Sequence, residues 1–164
     1  MVWGCIWLDG RGKARRSELV IMERDPDSPR NGYSAKSYIN ALELGLLPHY
    51  RPGHIFQQDN ASVHVASESK DWLESHGIHV MDWPALSPDL NPIEHMWWAL
   101  KWKLYELYPN ISNMGNSDND REFLRQALKE LWRQIPDALI YRLISSMPRR
   151  LQALRKAGFR HTKY

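Results

Sequence analysis

Hydrophobic and polar positions change period several times along the chain, and each change marks an element. Val2-Trp3-Gly4-Cys5-Ile6-Trp7-Leu8 is rich in β-formers, Asp9-Gly10 and Gly12 supply turn residues, and Glu18 to Met22 resumes strand character. That pattern predicts a hairpin. Asp25 to Gly32 is a loop with two prolines, after which Ser34 caps a predicted helix burying Tyr38, Leu42 and Leu46, ended by Gly45 and Pro48. His54 to Gln58 reads as a short strand. Val65, Ser69, Trp72 and His76 trace one face of a helix stopped by Gly77, and Ile78 to Met81 forms a second short strand.

Trp83-Pro84-Ala85-Leu86-Ser87-Pro88-Asp89-Leu90-Asn91-Pro92 is a proline-punctuated loop, with Asn91 suited to an N-cap and Pro92 to the first helical position. Along the long helix that follows, Ile93, Trp97, Leu100, Leu104 and Leu107 recur as a buried stripe, and Glu94, Trp98, Lys101 and Tyr105 form the stripe beside it. Asn110 to Asn119 is a polar loop. A helix with Leu124, Leu128, Leu131 and Ile135 inward is stopped by Pro136, and two short helices over 137–145 and 148–157 finish the chain. The order strand, strand, helix, strand, helix, strand, helix gives an α/β layered domain with a helical end.

Composition narrows the class without naming it. The 164 residues suffice for one domain, and 43% hydrophobic with 25% charged residues is ordinary globular usage. No apolar run approaches a membrane span, and no signal-peptide pattern opens the chain, so an intracellular protein is expected. The single Cys5 forms neither an internal disulfide nor a cysteine-rich zinc site, and is assigned to the core. Charge is polarised: residues 121–164 carry 11 Lys or Arg against 3 Asp or Glu, whereas 1–120 carry 11 against 16. A basic end fits a polyanionic partner or a solvated helix face equally well.

The chemistry concentrates in two stretches. Phe56-Gln57-Gln58-Asp59-Asn60-Ala61 puts a carboxylate at a strand end, where α/β folds open their ligand crevices. Ser87-Pro88-Asp89-Leu90-Asn91-Pro92-Ile93-Glu94 puts a second acid at a helix start, with 34 residues between Asp59 and Glu94. Both stretches and their spacing resemble the signatures around the second and third acids of mariner-like DDE transposases. The likeness extends through Val2-Trp3-Gly4, Trp83-Pro84 and Ser145-Ser146-Met147-Pro148-Arg149-Arg150 to Gly158 and Thr162-Lys163-Tyr164, nearly the whole chain. Ser62 stands where many relatives have proline, which loosens the turn after Asp59 and leaves the acid unaffected.

The resemblance implies a ribonuclease-H-like three-layer α/β fold lacking its first strand, with extra C-terminal helices. It divides the chain into residues 1–110, the catalytic domain incomplete at its N-terminus, and 111–164, a basic helical extension of the same domain. It implies Asp59 and Glu94 as catalytic, metal-binding acids for Mg²⁺ or Mn²⁺, and DNA, both transposon ends and target, as the partner. A homodimer and a nuclear location also come with the resemblance, and no membrane partner does. DNA phosphodiesters react by in-line displacement, for which two metal ions activate the attacking oxygen and stabilise the leaving one; Mg²⁺ takes oxygen ligands such as carboxylates. The family's helix-turn-helix units and the strand bearing its first catalytic aspartate have no counterpart here, so cleavage and strand transfer are expected to be impaired in this chain alone. The alternatives are a transposon-derived remnant that binds nucleic acid without catalysis, and a hydrolase of RNA hybrids.

Each residue has a plainer role to set against this. Asp59 suits a turn, and Glu94 could close a capping box onto Asn91. Asp89 is read as a turn or cap residue rather than a third ligand, and Asp9 as the hairpin turn; Asp25 and Asp27 fall in a loop. His64 either assists the substrate phosphate or is simply hydrogen-bonded structure. His76 and His79 lack the further ligands of a zinc site. Trp98 and Lys101 could meet DNA by stacking and phosphate contact. Arg149, Arg150, Arg155, Lys156, Arg160 and Lys163 form the densest basic cluster, either gripping DNA or solvated.

Overall fold

The structure, a computed structural model, describes residues 1–28, 31–84 and 87–156. The hairpin forms where the sequence places it. Strand β1 (Val2–Trp3) pairs antiparallel with β4 (Val20–Ile21), and β2 (Ile6–Leu8) with β3 (Ala14–Arg16). The register is Trp3 to Val20 but Ile6 to Arg16, so the returning strand carries one extra residue, a bulge. Ser17 fills it: its amide donates to the Cys5 carbonyl and its Oγ accepts from the Cys5 amide, both at 3.0 Å. At the tip Asp9 Oδ1 accepts from the Arg11 and Lys13 amides at 3.0 and 2.9 Å, and Gly12 takes a φ of 73° that favours glycine. Asp9 is therefore a turn residue, as its setting suggests.

Helices cover both faces of this hairpin. On one side Trp3, Val20 and Met22 pack with Tyr38, Ala41 and Leu42 of α1 (Ala35–Gly45) and with Phe56, Leu73 and Ile78. The Ser34 side chain caps α1 reciprocally with Ser37, and Ser34 Oγ donates to Asp25 Oδ2 at 2.6 Å, so the proline loop is fastened to the helix start. Gly45 lies so close to the sheet that a Cβ there would sit 2.4 Å from the Trp3 ring. The helix ends on glycine because of that approach.

On the other side Ala14 and Leu19 pack with Met96, Leu100 and Leu104 of α4 (Ile93–Leu107), Leu131 and Trp132 of α5 (Asp118–Gln134), and Ile140 and Leu143 of α6 (Asp137–Ser145). Trp132 Nε1 donates to the Ser17 carbonyl at 2.8 Å, and its ring stacks on Trp97 with centroids 5.1 Å apart. The helices after residue 110 thus share a core with the N-terminal hairpin. Helix α7 (Met147–Lys156) follows, packing on α6 and on the 3₁₀ turn Pro88–Leu90. Among the described residues no helix is long and apolar enough to cross a membrane.

Several sequence expectations shift here. The two central strands reduce to one parallel bridge between Phe56 and Val80, held by Phe56 N–H to His79 O at 2.7 Å and Met81 N–H to Phe56 O at 2.8 Å. The helix before Gly77 is two pieces, α2 (Ser62–Val65) and α3 (Ser67–Ser75), because Ala66 has an extended ψ of 145°. That break turns the inward face to Ser69 and Leu73, leaving Val65 and His76 exposed. Gly77 does stop the helix, with a φ of 62°. Helix α4 begins at Ile93, one residue later than expected, since Pro88–Leu90 spends the preceding loop on its own turn. Its buried face centres on Met96, Leu100 and Leu104, so Leu107 falls outside the core.

Candidate metal and nucleic-acid site

The Phe56 bridge fixes an extended segment whose end is Asp59. Asp59 Oδ1 accepts from the Ala61 amide at 3.0 Å, turning the chain into α2, and that turn returns His64 to the acid. His64 Nδ1 lies 2.7 Å from Asp59 Oδ1, an ion pair whenever the imidazole is protonated. The imidazole also lies against the Tyr38 ring of α1, with centroids 4.3 Å apart. The Tyr38 hydroxyl donates to the Gln58 side chain. Burial, and then the negative charge of Asp59, raises the Tyr38 phenol above its ordinary value.

The second motif is tied to the first through two amide side chains. Gln57 Nε2 donates to Asn91 Oδ1 at 3.3 Å, and the same oxygen accepts from the Ile93 amide at 3.4 Å. Sequence reasoning missed this link, although both residues sit inside the quoted motifs. Glu94 follows in the first turn of α4. It does not close a capping box: the Asn91 amide donates instead to the Pro88 carbonyl at 2.9 Å. Among the described residues the Glu94 carboxylate makes no hydrogen bond or ion pair, which leaves its lone pairs available. By surface area Glu94 is exposed, yet enough protein surrounds it that partial desolvation, and then the charge of Asp59, raises its carboxyl above the usual range.

Asp59 and Glu94 line one cleft of about 870 Å³, whose walls are Val2–Leu8, His54–Gln58, Trp97 and Met147. Two carboxylates on one cleft suit a hard divalent cation with oxygen ligands. The fit is partial, because among the described residues no three His, Cys, Asp or Glu side chains stand together as a metal site. Because the negative charge of Asp59 adds to burial in raising the Glu94 carboxyl, Asp59→Asn is expected to bring that carboxyl down toward the ordinary value without reaching it. A ¹³C-detected carboxyl titration reads this, and an unchanged Glu94 midpoint would separate the two acids.

The remaining candidates scatter. Trp98 and Lys101 are exposed on α4. Arg149, Arg155 and Lys156 are exposed on α7, but Arg150 is 2% exposed and donates Nε to Ser146 Oγ at 2.8 Å. Arg150 therefore leaves the nucleic-acid set, since a guanidinium buried between helices does not reach a phosphate. Burial, and then its positive charge, instead depresses the His95 imidazole on α4. Asp25 is engaged by Ser34, and Asp27 pairs with Lys36 at 3.0 Å. His76 stacks on Trp72, and the His79 backbone amide donates to the Tyr50 hydroxyl. The Asp89 side chain, Arg160 and Lys163 lie outside the described residues.

A hairpin covered by helices on both faces, with Asp59 three residues beyond the Phe56 bridge and Glu94 in the first turn of the next long helix, makes this a mixed α/β domain. The fold matches the crystal structure of the catalytic domain of Mos1 mariner transposase with a TM-score of 0.64, covering 98% of this chain and 75% of that one at 23% identity. A family profile described as DDE superfamily endonuclease matches residues 30–115, and the chain belongs to that family. Its relatives include the transposable element Tc1 transposase of Caenorhabditis elegans, 36% identical over all of this chain and 54% of that protein. The Tc3 transposase of the same organism is 38% identical over 92% of this chain and 41% of its own length. The chain thus spans about half the length of the curated relatives it matches.

Proposed function

We propose that this chain carries two of the acids of a DDE transposase, Asp59 and Glu94, which cleave and join DNA strands by two-metal-ion chemistry. The observation that carries this reading is their convergence on one cleft, close enough that the charge of Asp59 raises the Glu94 carboxyl. Mg²⁺ or Mn²⁺ held there would activate the attacking oxygen and stabilise the leaving one. The Mos1 catalytic domain has been solved with Mg and with Mn, and other Mos1 structures are paired-end and strand-transfer complexes. In this chain Asp59 and Glu94 supply oxygen ligands, His64 holds the Asp59 carboxylate in place and is assigned to assist the substrate phosphate, and Gln57 and Asn91 keep the two motifs in register. Arg149, Arg155 and Lys156 offer phosphate contacts. A nuclear location and a homodimer belong to the same reading.

The third acid is proposed to arrive on a strand that fills the cleft. Alternation along the Phe56 segment sends the Ile55 and Gln57 backbone groups toward it, and among the described residues their amides make no hydrogen bond. The Val2–Leu8 edge of the hairpin faces the same space. Two unpaired edges across an apolar slot are what an inserted strand satisfies. Without it, two carboxylates hold a metal pair poorly and cleavage is impaired. The second reading, nucleic-acid binding without catalysis, is favoured by that incomplete acid set.

The test is Mg²⁺- or Mn²⁺-dependent nicking of labelled DNA by the 164-residue chain and by the same chain extended N-terminally with an aspartate-bearing strand. Nicking by the extended chain alone is the expected result. Nicking by both would mean that the third ligand lies within this chain. Salt-sensitive binding with no nicking by either would favour the non-catalytic reading.

A further inference from the structure

We propose that the solvent face of α4 is a stacking track for unpaired nucleotides of the DNA strand that passes through the acid cleft. This rests on the reading of the cleft as a DNA site. At 100° per residue, Glu94, Trp98, Lys101 and Tyr105 fall within about 60° of one another, with Trp102 beside them. The opposite face already buries Met96, Leu100 and Leu104, so the core does not need these rings. Trp98 is 66%, Trp102 54% and Tyr105 51% exposed. The two indoles are nearly parallel, 18° apart in plane, with centroids 6.4 Å apart along the helix. From Glu94 to Tyr105 the track runs about 16 Å at ~1.5 Å per residue.

Three features favour nucleic acid over a protein as the occupant. The row is continuous with the cleft, because Glu94 is its first member. Its exposed hydrophobic members between Glu94 and Tyr105 are aromatic rather than aliphatic, and a ring face accepts any base. Lys101 lies within the row, where it meets a phosphate between stacked bases rather than disrupting an apolar contact. The tracked strand is single because stacking on a side chain requires a base whose own face is free.

The test is fluorescence anisotropy of a labelled oligothymidine and of a blunt duplex, with EDTA present, using the 164-residue chain. Trp98→Leu with Trp102→Leu is expected to weaken single-strand binding on the order of ten-fold or more per ring, and duplex binding far less. Trp98→Phe with Trp102→Phe restores most of the loss, whereas an apolar protein contact would tolerate leucine. Lys101→Gln lowers the salt slope of single-strand binding by about 0.7. Thermal unfolding checks that the variants fold as the parent does. Unchanged single-strand affinity in the leucine variant overturns the proposal. A wild-type dimer dispersed by the same substitutions overturns it too, assigning the face to a second copy. Because EDTA is present throughout, binding is read without metal chemistry, so failure of the track and failure of the acid cleft are separate outcomes.

Discussion

Alanine at Asp59 or Glu94 is expected to remove metal-dependent strand cleavage in a chain whose cleft holds the completing strand. In the proposed reading, each substitution deletes an oxygen ligand outright. Loss of a group merely supporting a ligand costs ~10- to 100-fold in metal affinity or activity, so loss of the ligand itself should exceed ~100-fold. The two variants should differ in one respect. Asp59→Ala removes the carboxylate partner of His64 at 2.7 Å and lowers the Glu94 carboxyl, whereas Glu94→Ala removes a group that no described residue hydrogen-bonds. Glu94→Ala should therefore leave the surrounding hydrogen bonds intact. Its raised carboxyl pKa also fixes a sign: this group contributes stability that is present below its unfolded pKa and is lost as pH rises through the folded one. Relief of that strain by Glu94→Gln should show as a small stability gain at neutral pH, and cation binding should raise the melting temperature of the parent but not of either alanine variant. Nicking that survives either alanine substitution would remove the proposed roles.

Trp132→Ala should be the most destabilising single change in the described core. The ring is fully buried, stacks on Trp97 and donates to the carbonyl of Ser17 at the hairpin bulge. Truncating a buried aromatic to alanine costs ~3–5 kcal/mol, and an orphaned buried acceptor adds ~1–3 kcal/mol. Against a total stability of ~5–15 kcal/mol, that loss can empty the native state. Trp132→Phe separates the two parts, because it keeps most of the bulk and removes only the donor. Urea unfolding followed by far-UV circular dichroism reads both. A midpoint unmoved by Trp132→Ala would mean that α5 does not share its core with the hairpin.

The sequence by itself specified most elements and both chemical motifs. Ser34, Gly77 and Pro136 mark helix ends through local backbone chemistry, so their effect is legible residue by residue. Asp9, Gly10 and Gly12 fix the hairpin turn in the same way. The two acid-bearing motifs and their spacing are likewise a property of the chain, and the resemblance to the family rests on them. Faces were less secure. Trp132 was absent from the expected inward stripe of α5, and Met96 from that of α4, because both helices meet neighbours over a wider arc than one period reveals. The break at Ala66 rotated the face of α3 for a similar reason, since a single extended residue resets the helical phase.

Only the tertiary structure decided which polar groups meet. No period in the sequence pairs His64 with Asp59 or Gln57 with Asn91, and none shows that Glu94 leaves its cap to face a cleft. The six-residue basic cluster looked uniform along the chain, yet packing of α7 buried Arg150 and left Arg149 exposed. Local sequence sets φ, ψ and the apolar side of each element, whereas a charge's solvation and partners depend on where distant elements come to rest. The fold class was therefore readable early, and the electrostatics of the acid cleft were not.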